Sequence, residues 1–313
     1  MKYNSYVKGI PKVSEIGLGA WQLGESNDWK SMTEKEAVNL VHKSLDLGVN
    51  FFDTAPNYGN GTSELRLGKA LKQKDRTKIV INTKFGHSER GVTNFESDNI
   101  RKSLEGSLRR LGTDYVDSLI IHNPPSKYLD GNKTDHYEIL GKLIDEGKIK
   151  AYGASLDTFD EMTTFLNTTK GKVIEAFFNI FHQDARRAFN LAKQKGTRII
   201  GKIPLDSGWL SGKYDENSKF SGIRARWTKK DIKTRADLVH KLKAIIPNEC
   251  AVLQIAISFC LAYDAVATVI PGNKNIDQLK QNLESLNCLL SDQLIRELES
   301  FYEKEVKGLN LPW

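Results

Sequence analysis

The chain has 313 residues, 39% of them hydrophobic and 27% charged, with a formal net charge of +7. That length can bury a large core, and that composition argues against a disordered chain and against a membrane protein. No apolar run approaches the roughly 18 residues of a membrane-spanning helix, and the basic residues are scattered without a run of five, so neither a membrane nor a nucleic-acid partner is expected.

The predicted elements open with residues 3–7, a turn at Lys8-Gly9-Ile10-Pro11, and residues 12–14, a hairpin suited to closing the floor of a barrel. This N-terminal stretch lacks the long apolar core of a signal peptide, so the cytoplasm is the expected compartment. Apolar, β-rich runs follow at residues 15–19, 50–53, 79–84, 116–122, 149–155, 173–178, 197–204 and 267–271. Their nearly unbroken apolar character predicts burial on both faces, as in a parallel sheet.

Helical patterns fill the intervals. Thr33-Glu34-Lys35-Glu36 fits a capping box ahead of Ala37, Leu40, Val41 and Leu45, with Gly48 as the stop. Ile100, Leu104, Leu108 and Leu111 form one stripe ending at Gly112, and Ile276, Leu279, Leu283 and Leu286 form another; both read as packing faces. Repeated strand–helix units predict an α/β protein built as a (β/α)8 TIM barrel. The hairpin is its N-terminal cap, and a last helix and tail are its C-terminal extra. No linker divides the chain, so one domain over residues 1–313 is expected. No GxGxxG follows a strand, which counts against a doubly wound dinucleotide fold.

The three cysteines, Cys250, Cys260 and Cys288, form no CxxC and read as reduced, mostly core thiols. The histidines show no HxH or HExxH spacing, so no metal is expected.

Asp53, Lys84, His122 and Ser155 each close a predicted strand, and in such a barrel the C-terminal strand ends converge on the active-site face. Tyr58 stands five residues beyond Asp53. Each residue alone has a plain structural reading: a helix cap, a packing tyrosine, a satisfied histidine. Together they form a proton-handling set. A free phenol titrates near about 10, and a neighbouring ammonium lowers that value. Lys84 supplies the ammonium, Asp53 holds Lys84, and His122 orients a carbonyl oxygen and shares proton delivery. The set polarises a C=O and protonates the developing alkoxide; the hydride it lacks implies a reduced nicotinamide.

These residues sit in stretches that resemble the aldo-keto reductase superfamily over nearly the whole chain. The matching pieces are GLGAWQLG (17–24), FFDTAPNYG (51–59), NTKFG (82–86), IHNPP (121–125), Gly153-Ala154-Ser155, the run 204–214 and Ile270-Pro271-Gly272. The run 204–214 and the ending 309–313 resemble the bacterial-type branches. The resemblance implies a (β/α)8 barrel, a catalytic tetrad of Asp53, Tyr58, Lys84 and His122, and NADPH/NADP+-dependent carbonyl reduction. Potassium-channel β subunits of that superfamily commonly carry Asn at the position of His122, so His122 favours an enzyme.

The same resemblance implies the cofactor contacts. Ser155 holds the nicotinamide carboxamide, with Glu175 where a Gln is usual and Lys202 where a Tyr often stacks. Gly19, Trp21 and Asp53 border the same region. Pro204, Leu205, Ser207, Gly208, Leu210 and Lys213 strap the pyrophosphate. Gly272, Asn273, Lys274, Gln278, Gln281 and Asn282 form the adenosine end, with Lys274 facing the 2′-phosphate. Some members carry Arg where Gln278 sits, which leaves NADH open as a cofactor.

Trp21, Tyr58, His122 and Asn123 are the expected substrate wall, suited to a small aldehyde, ketone or sugar-like carbonyl. Trp209 and Trp227 are further pocket candidates. The stretch 213–233, with Arg224, Arg226, Lys229 and Lys230, reads as a cofactor-covering loop, with an anionic substrate such as a sugar phosphate as its alternative partner, and the short tail 304–313 would leave the pocket open. A monomer or small homo-oligomer is expected. The alternatives are a nicotinamide-binding sensor with little turnover, and a barrel isomerase or lyase that binds no nicotinamide.

Overall fold

Ten strands and ten α-helices are present among residues 1–26, 30–309, 311 and 312, the residues described by the computed structural model. The strands are β1 (Tyr3–Asn4), β2 (Val13–Ser14), β3 (Leu18–Gly19), β4 (Phe51–Asp53), β5 (Val80–Phe85), β6 (Val116–Ile121), β7 (Ile149–Leu156), β8 (Val173–Phe177), β9 (Arg198–Lys202) and β10 (Val266–Ile270). The helices are α1 (Glu34–Asp46), α2 (Thr62–Leu71), α3 (Ser97–Leu111), α4 (His136–Asp145), α5 (Phe159–Thr168), α6 (Phe189–Gln194), α7 (Lys229–Lys243), α8 (Val252–Leu261), α9 (Ile276–Glu284) and α10 (Asp292–Phe301).

Strands β3 to β10 pair in parallel, each with the next. The circle closes through bridges from Ile16 to Val269 and from Gly19 to Gly272, and through Gly17 N donating to Val269 O at 2.9 Å. This is the (β/α)8 barrel that the strand–helix alternation predicts. Helix α7 is an insertion between β9 and β10, and α10 is the extra C-terminal helix. Of the terminal motif at 309–313, Asn310 and Trp313 lie outside the described residues. Among the described residues no helix is long and apolar enough to cross a membrane.

Strand periodicity explains how the site is built. Successive side chains alternate between the lumen and the helical layer. Phe51, Val80, Ile120, Ala151, Val173 and Ile200 pack in the lumen with Tyr6 and Val13 beneath them. Their neighbours Phe52, Ile81, Leu119, Ile121, Tyr152, Ile174 and Ile199 face the helices. The same parity carries Asp53, Asn82, Lys84, Ser155, Glu175 and Lys202 into the upper lumen, and all six are buried. Hairpin β1–β2 closes the floor, where Tyr6 packs edge-on against Phe51 and its hydroxyl lies 3.0 Å from Ser118 Oγ.

Two of the helix signals hold in detail, while α9 stops at Glu284, before Leu286 of the third stripe. Thr33 and Glu36 form the capping box of α1, and Gly48 follows it at φ 88. Helix α3 buries Ile100, Leu104, Leu108 and Leu111 and stops at Gly112, whose φ of 64 suits glycine.

Gly153 in β7 has a different reason to be glycine: a Cβ there would lie 1.8 Å from Val173 O of β8. Gly153→Ala is therefore expected to spread the β7–β8 pair below Ser155 and lower stability by about 1–3 kcal/mol, the usual range for overpacking. Urea denaturation checks this, and a wild-type midpoint would show that the two strands can part freely.

The structure corrects some boundaries and placements. The run 197–204 stops as a strand at Lys202, because Ile203 turns to φ 56, a left-handed value costly for a β-branched residue. Trp209 is fully buried, with ring centroids 5.6 Å from Tyr214, 5.5 Å from Phe220 and 5.9 Å from Trp227. Trp227 is also buried, so both indoles pack under the 213–228 segment instead of walling a pocket. Cys260 is fully buried, whereas half-buried Cys250 lies with its sulfur 2.7 Å from that of Cys288.

Candidate active site

Lys84 is the hub at the top of the lumen. Its ammonium, fully buried, donates to both carboxylate oxygens of Asp53 at 2.7 Å and to Thr54 O at 3.1 Å. A third carboxylate oxygen, Glu175 Oε2, lies 3.2 Å away. Asn82, two residues before Lys84 on the same face of β5, donates to Asp53 Oδ1 at 2.6 Å and receives Ser118 Oγ at 2.6 Å. Burial disfavours the Lys84 ammonium, but Asp53 and then Glu175 and Tyr58 outweigh it, so its pKa is raised.

Tyr58 reaches the hub from the turn after β4. Gly59 makes that turn possible: at φ 58, a Cβ on it would lie 2.3 Å from Glu25 N. The Lys84 ammonium sits 5.0 Å from the Tyr58 ring centroid. The net effect on the phenol is the reverse of the expected one. Burial raises the Tyr58 pKa, Lys84 pulls it back, and Asp53 and Glu175 raise it again. Lys84 therefore offsets part of a larger penalty, and Tyr58 stays protonated at neutral pH.

His122 follows β6 and stands edge-on to Tyr58, with ring centroids 5.8 Å apart. Its backbone N–H donates to Phe85 O at 3.0 Å, which fixes its height on the strand ends. Burial, then the charges of Lys84 and Lys202 and the nearby His87, hold its pKa well below the ordinary value. The imidazole is thus neutral near pH 7, a hydrogen-bonding group and not a proton source. Among the described residues its Nδ1 is buried without a hydrogen-bond partner. Trp21 completes this wall, 37% exposed and 6.4 Å from the Tyr58 ring.

The sequence reading missed His87. It packs edge-on against His122 at 5.1 Å and extends the aromatic wall. Its position directly after NTKFG was the available signal.

Ser155, Asn123 and Lys202 form one cluster beside the hub. Ser155 Oγ donates to Asn123 Oδ1 at 2.7 Å. Lys202 Nζ donates to Asn123 Oδ1 and Ser155 Oγ at 2.8 Å each, and lies 2.8 Å from Asp157 Oδ1. Glu175 does not join this group; it turns inward to Lys84.

The strap region runs beyond β9. Pro204 is buried and Leu205 half-buried; Asp206, Ser207 and Gly208 take left-handed φ values of 43, 54 and 101. Within that turn the chain satisfies its own donors: Asp206 N donates to Ile203 O at 3.2 Å, and Gly208 N to Leu205 O at 2.8 Å. Asp206 anchors it from below, fully buried, 3.1 Å from Arg235 Nε and 3.2 Å from His182 Nε2. Leu210 is buried in the core and Lys213 is exposed past Gly212.

At the other rim, Gly19 and Gly272 bridge β3 to the segment after β10. Asn282 Nδ2 donates to Asn273 Oδ1 at 2.8 Å, while Gln278 Oε1 turns back to receive Lys274 N at 2.9 Å. Gln281 is exposed on α9. Lys274 is held below its ordinary pKa by partial burial and, second, by the charge of Arg224. Arg224, expected in a covering loop or against an anionic substrate, donates to Tyr214 OH at 3.0 Å. Two cations that repel one another across this rim fit a phosphate-bearing dinucleotide.

A parallel barrel with a buried Asp–Lys hub, a protonated Tyr and a neutral His at its strand ends belongs to the class of barrel oxidoreductases. The family model described as "Aldo/keto reductase family" matches residues 15–303, and the chain belongs to that family, whose members use nicotinamide cofactors. Among curated relatives, the NADH-specific methylglyoxal reductase of Escherichia coli is 26% identical, over 93% of this chain and 96% of its own. The L-galactose dehydrogenase of Arabidopsis thaliana is 29% identical, over 96% of this chain and 94% of its own. Among solved structures, aldo-keto reductase AKR11C1 from Bacillus halodurans in its holo form matches with TM-score 0.82 and 25% identity, covering 99% of this chain and all of that one. The glycerol dehydrogenase AKR11B4 from Gluconobacter oxydans matches the fold with TM-score 0.81 at 24% identity, over 98% of this chain and 97% of its own.

Proposed function

We propose that this protein reduces a small aldehyde, ketone or sugar-like carbonyl to the alcohol, with NADPH as hydride source and Tyr58 as proton donor. The observation that carries this reading is the Lys84 ammonium, held by Asp53 at 2.7 Å and lying 5.0 Å from the ring of Tyr58. When bound, the reduced nicotinamide supplies the hydride. Ser155, Asn123 and Lys202 would hold its amide end, the strap Pro204, Leu205, Ser207 and Gly208 its pyrophosphate, and Lys274 with Arg224 its 2′-phosphate.

The remaining chemistry belongs to the chain. A carbonyl oxygen seated between Tyr58 and His122 receives a hydrogen bond from each. As negative charge develops on that oxygen, the Tyr58 proton moves to it, and Lys84 stabilises the phenolate left behind. A neutral His122 donates without competing for the proton. Trp21 and His87 flank the position where the rest of the substrate would lie.

The choice of NADPH rests on Lys274 and Arg224, since the Escherichia coli relative is described as NADH-specific. Lys274→Ala is expected to weaken NADPH about tenfold, the scale of one charge-assisted hydrogen bond, and NADH far less. Fluorescence titration with both cofactors checks this, and equal losses would place Lys274 away from the 2′-phosphate. The activity itself is tested by following NADPH oxidation over aldehydes, ketones, sugars and sugar phosphates. Turnover of a carbonyl supports the reading, and cofactor binding without turnover across the panel argues against it.

A further inference from the structure

Glu175 occupies an unusual place. It pairs in register with Ser155, yet its carboxylate points to the Asp53–Lys84 pair and is 2% exposed. Glu175 Oε2 lies 3.2 Å from Lys84 Nζ and receives Asn82 Nδ2 at 3.4 Å. Asp53 takes the same ammonium at 2.7 Å and the same amide at 2.6 Å. Two buried carboxylates therefore share one cation and one amide donor.

One ammonium neutralises one carboxylate. The second negative charge has no dedicated partner in a low-dielectric lumen, and like charges this close do not both ionise freely. The two carboxylates are not equivalent. Asp53 has both oxygens on Lys84 and the shorter Asn82 bond, so the weaker-held Glu175 is the site for a proton. The other groups facing it do not supply a partner. Lys202 of β9 is engaged with Asp157, Asn123 and Ser155. Ser155 of β7 and Ser118 of β6 are neutral, and Tyr6 below and Tyr58 above are phenols held protonated by burial.

We propose that Glu175 is a proton-holding positioning residue of the catalytic cluster, whose ionisation takes the Asp53–Lys84–Glu175 group from neutral to a net negative charge beneath Tyr58. Burial first, and the charge of Asp53 second, push the Glu175 carboxyl up to about 7. The charge reaches Tyr58, because ionised Glu175 raises the phenol's hold on its proton. Protonated Glu175 thus makes Tyr58 the stronger acid, and carbonyl reduction is favoured on the acid side of neutrality. This consequence rests on the proposed role of Tyr58; the titration of Glu175 does not. For stability, a carboxyl raised from 4.5 to about 7 costs the fold nothing below 4.5; the cost grows as pH rises to about 7 and is constant above it.

The test is carboxyl-carbon NMR of the full chain labelled at glutamate, titrated with pH for the wild type, Glu175→Gln and Glu175→Asp. The expected result is one glutamate carboxyl titrating near about 7 in the wild type and absent from both variants. Alongside it, log(kcat/KM) for carbonyl reduction should show an inflection at the same pH that Glu175→Gln removes. A wild type whose glutamates all titrate near 4.5 would overturn the proposal even if neither variant folds. So would an outlying resonance that persists in both variants. A Tyr58→Phe protein that keeps full activity would instead sink the proton-donor role and leave the titration standing.

Discussion

Replacing Tyr58 by Phe is expected to lower kcat by about 10²–10⁴-fold, the usual contribution of a positioned general acid. The affinity for NADPH should move no more than a few-fold, because the strap and the Lys274 rim are separate from the turn that carries Tyr58. Among the described residues no other group is placed to replace it. His122 is held in its neutral form by burial and by Lys84 and Lys202, and Lys84 is bound to Asp53. Stability should hardly change, since Phe keeps the ring against Trp21 and His122. Steady-state kinetics with a titration of cofactor affinity separate these effects. A fully active Tyr58→Phe protein would remove Tyr58 from the chemistry.

The second large effect is expected from Lys84→Met. Met keeps most of the volume but leaves Asp53 and Glu175 facing each other in the lumen with no cation between them. Breaking a buried charge pair in this way costs about 3–5 kcal/mol at neutral pH, and turnover should fall along with it. The pH dependence has a definite sign. In the wild type the lysine pKa is raised, so its stabilisation is fully present below about 10.5 and is lost only in strong alkali. In the variant Glu175 keeps the burial that raises its pKa and loses the ammonium that lowers it, so part of the stability should return as the pH falls and it takes up its proton. Urea denaturation at pH 8 and at pH 5 reads this directly. Equal midpoints for variant and wild type at pH 8 would mean that the lumen charges do not depend on Lys84.

Much of this was legible in the residues, for identifiable reasons. The eight barrel strands announce themselves as short apolar runs, and the period of two then carries Asp53, Lys84 and Ser155 into the lumen. The turn of FFDTAPNYG requires Gly59 and so fixes Tyr58 beside them. The direction a side chain takes when several partners compete was not legible. Glu175 was expected at the nicotinamide amide because a Gln is usual there, but a carboxylate on β8 is drawn across the lumen to the buried ammonium of Lys84 on β5. The Tyr58 pKa came out reversed because a sequence shows that Lys84 is near but not how deeply the phenol is buried. The strap was read as strand through Pro204, since Ile203 has the composition of a strand; its left-handed backbone is imposed by the turn that follows. Trp209 and Trp227 looked like pocket walls because an indole serves equally well in a core. The closeness of Cys250 and Cys288 depends on two loops meeting, which no local pattern encodes.

The central claim is hydride transfer from NADPH to a carbonyl with Tyr58 supplying the proton. Its most direct test uses NADPH deuterated at the transferable position of the nicotinamide, together with the best carbonyl of the substrate panel. Mass spectrometry of the alcohol should find one deuterium on the former carbonyl carbon with the wild type, and no alcohol above background with Tyr58→Phe. Alcohol formed without deuterium, or formed equally well by Tyr58→Phe, would contradict the account.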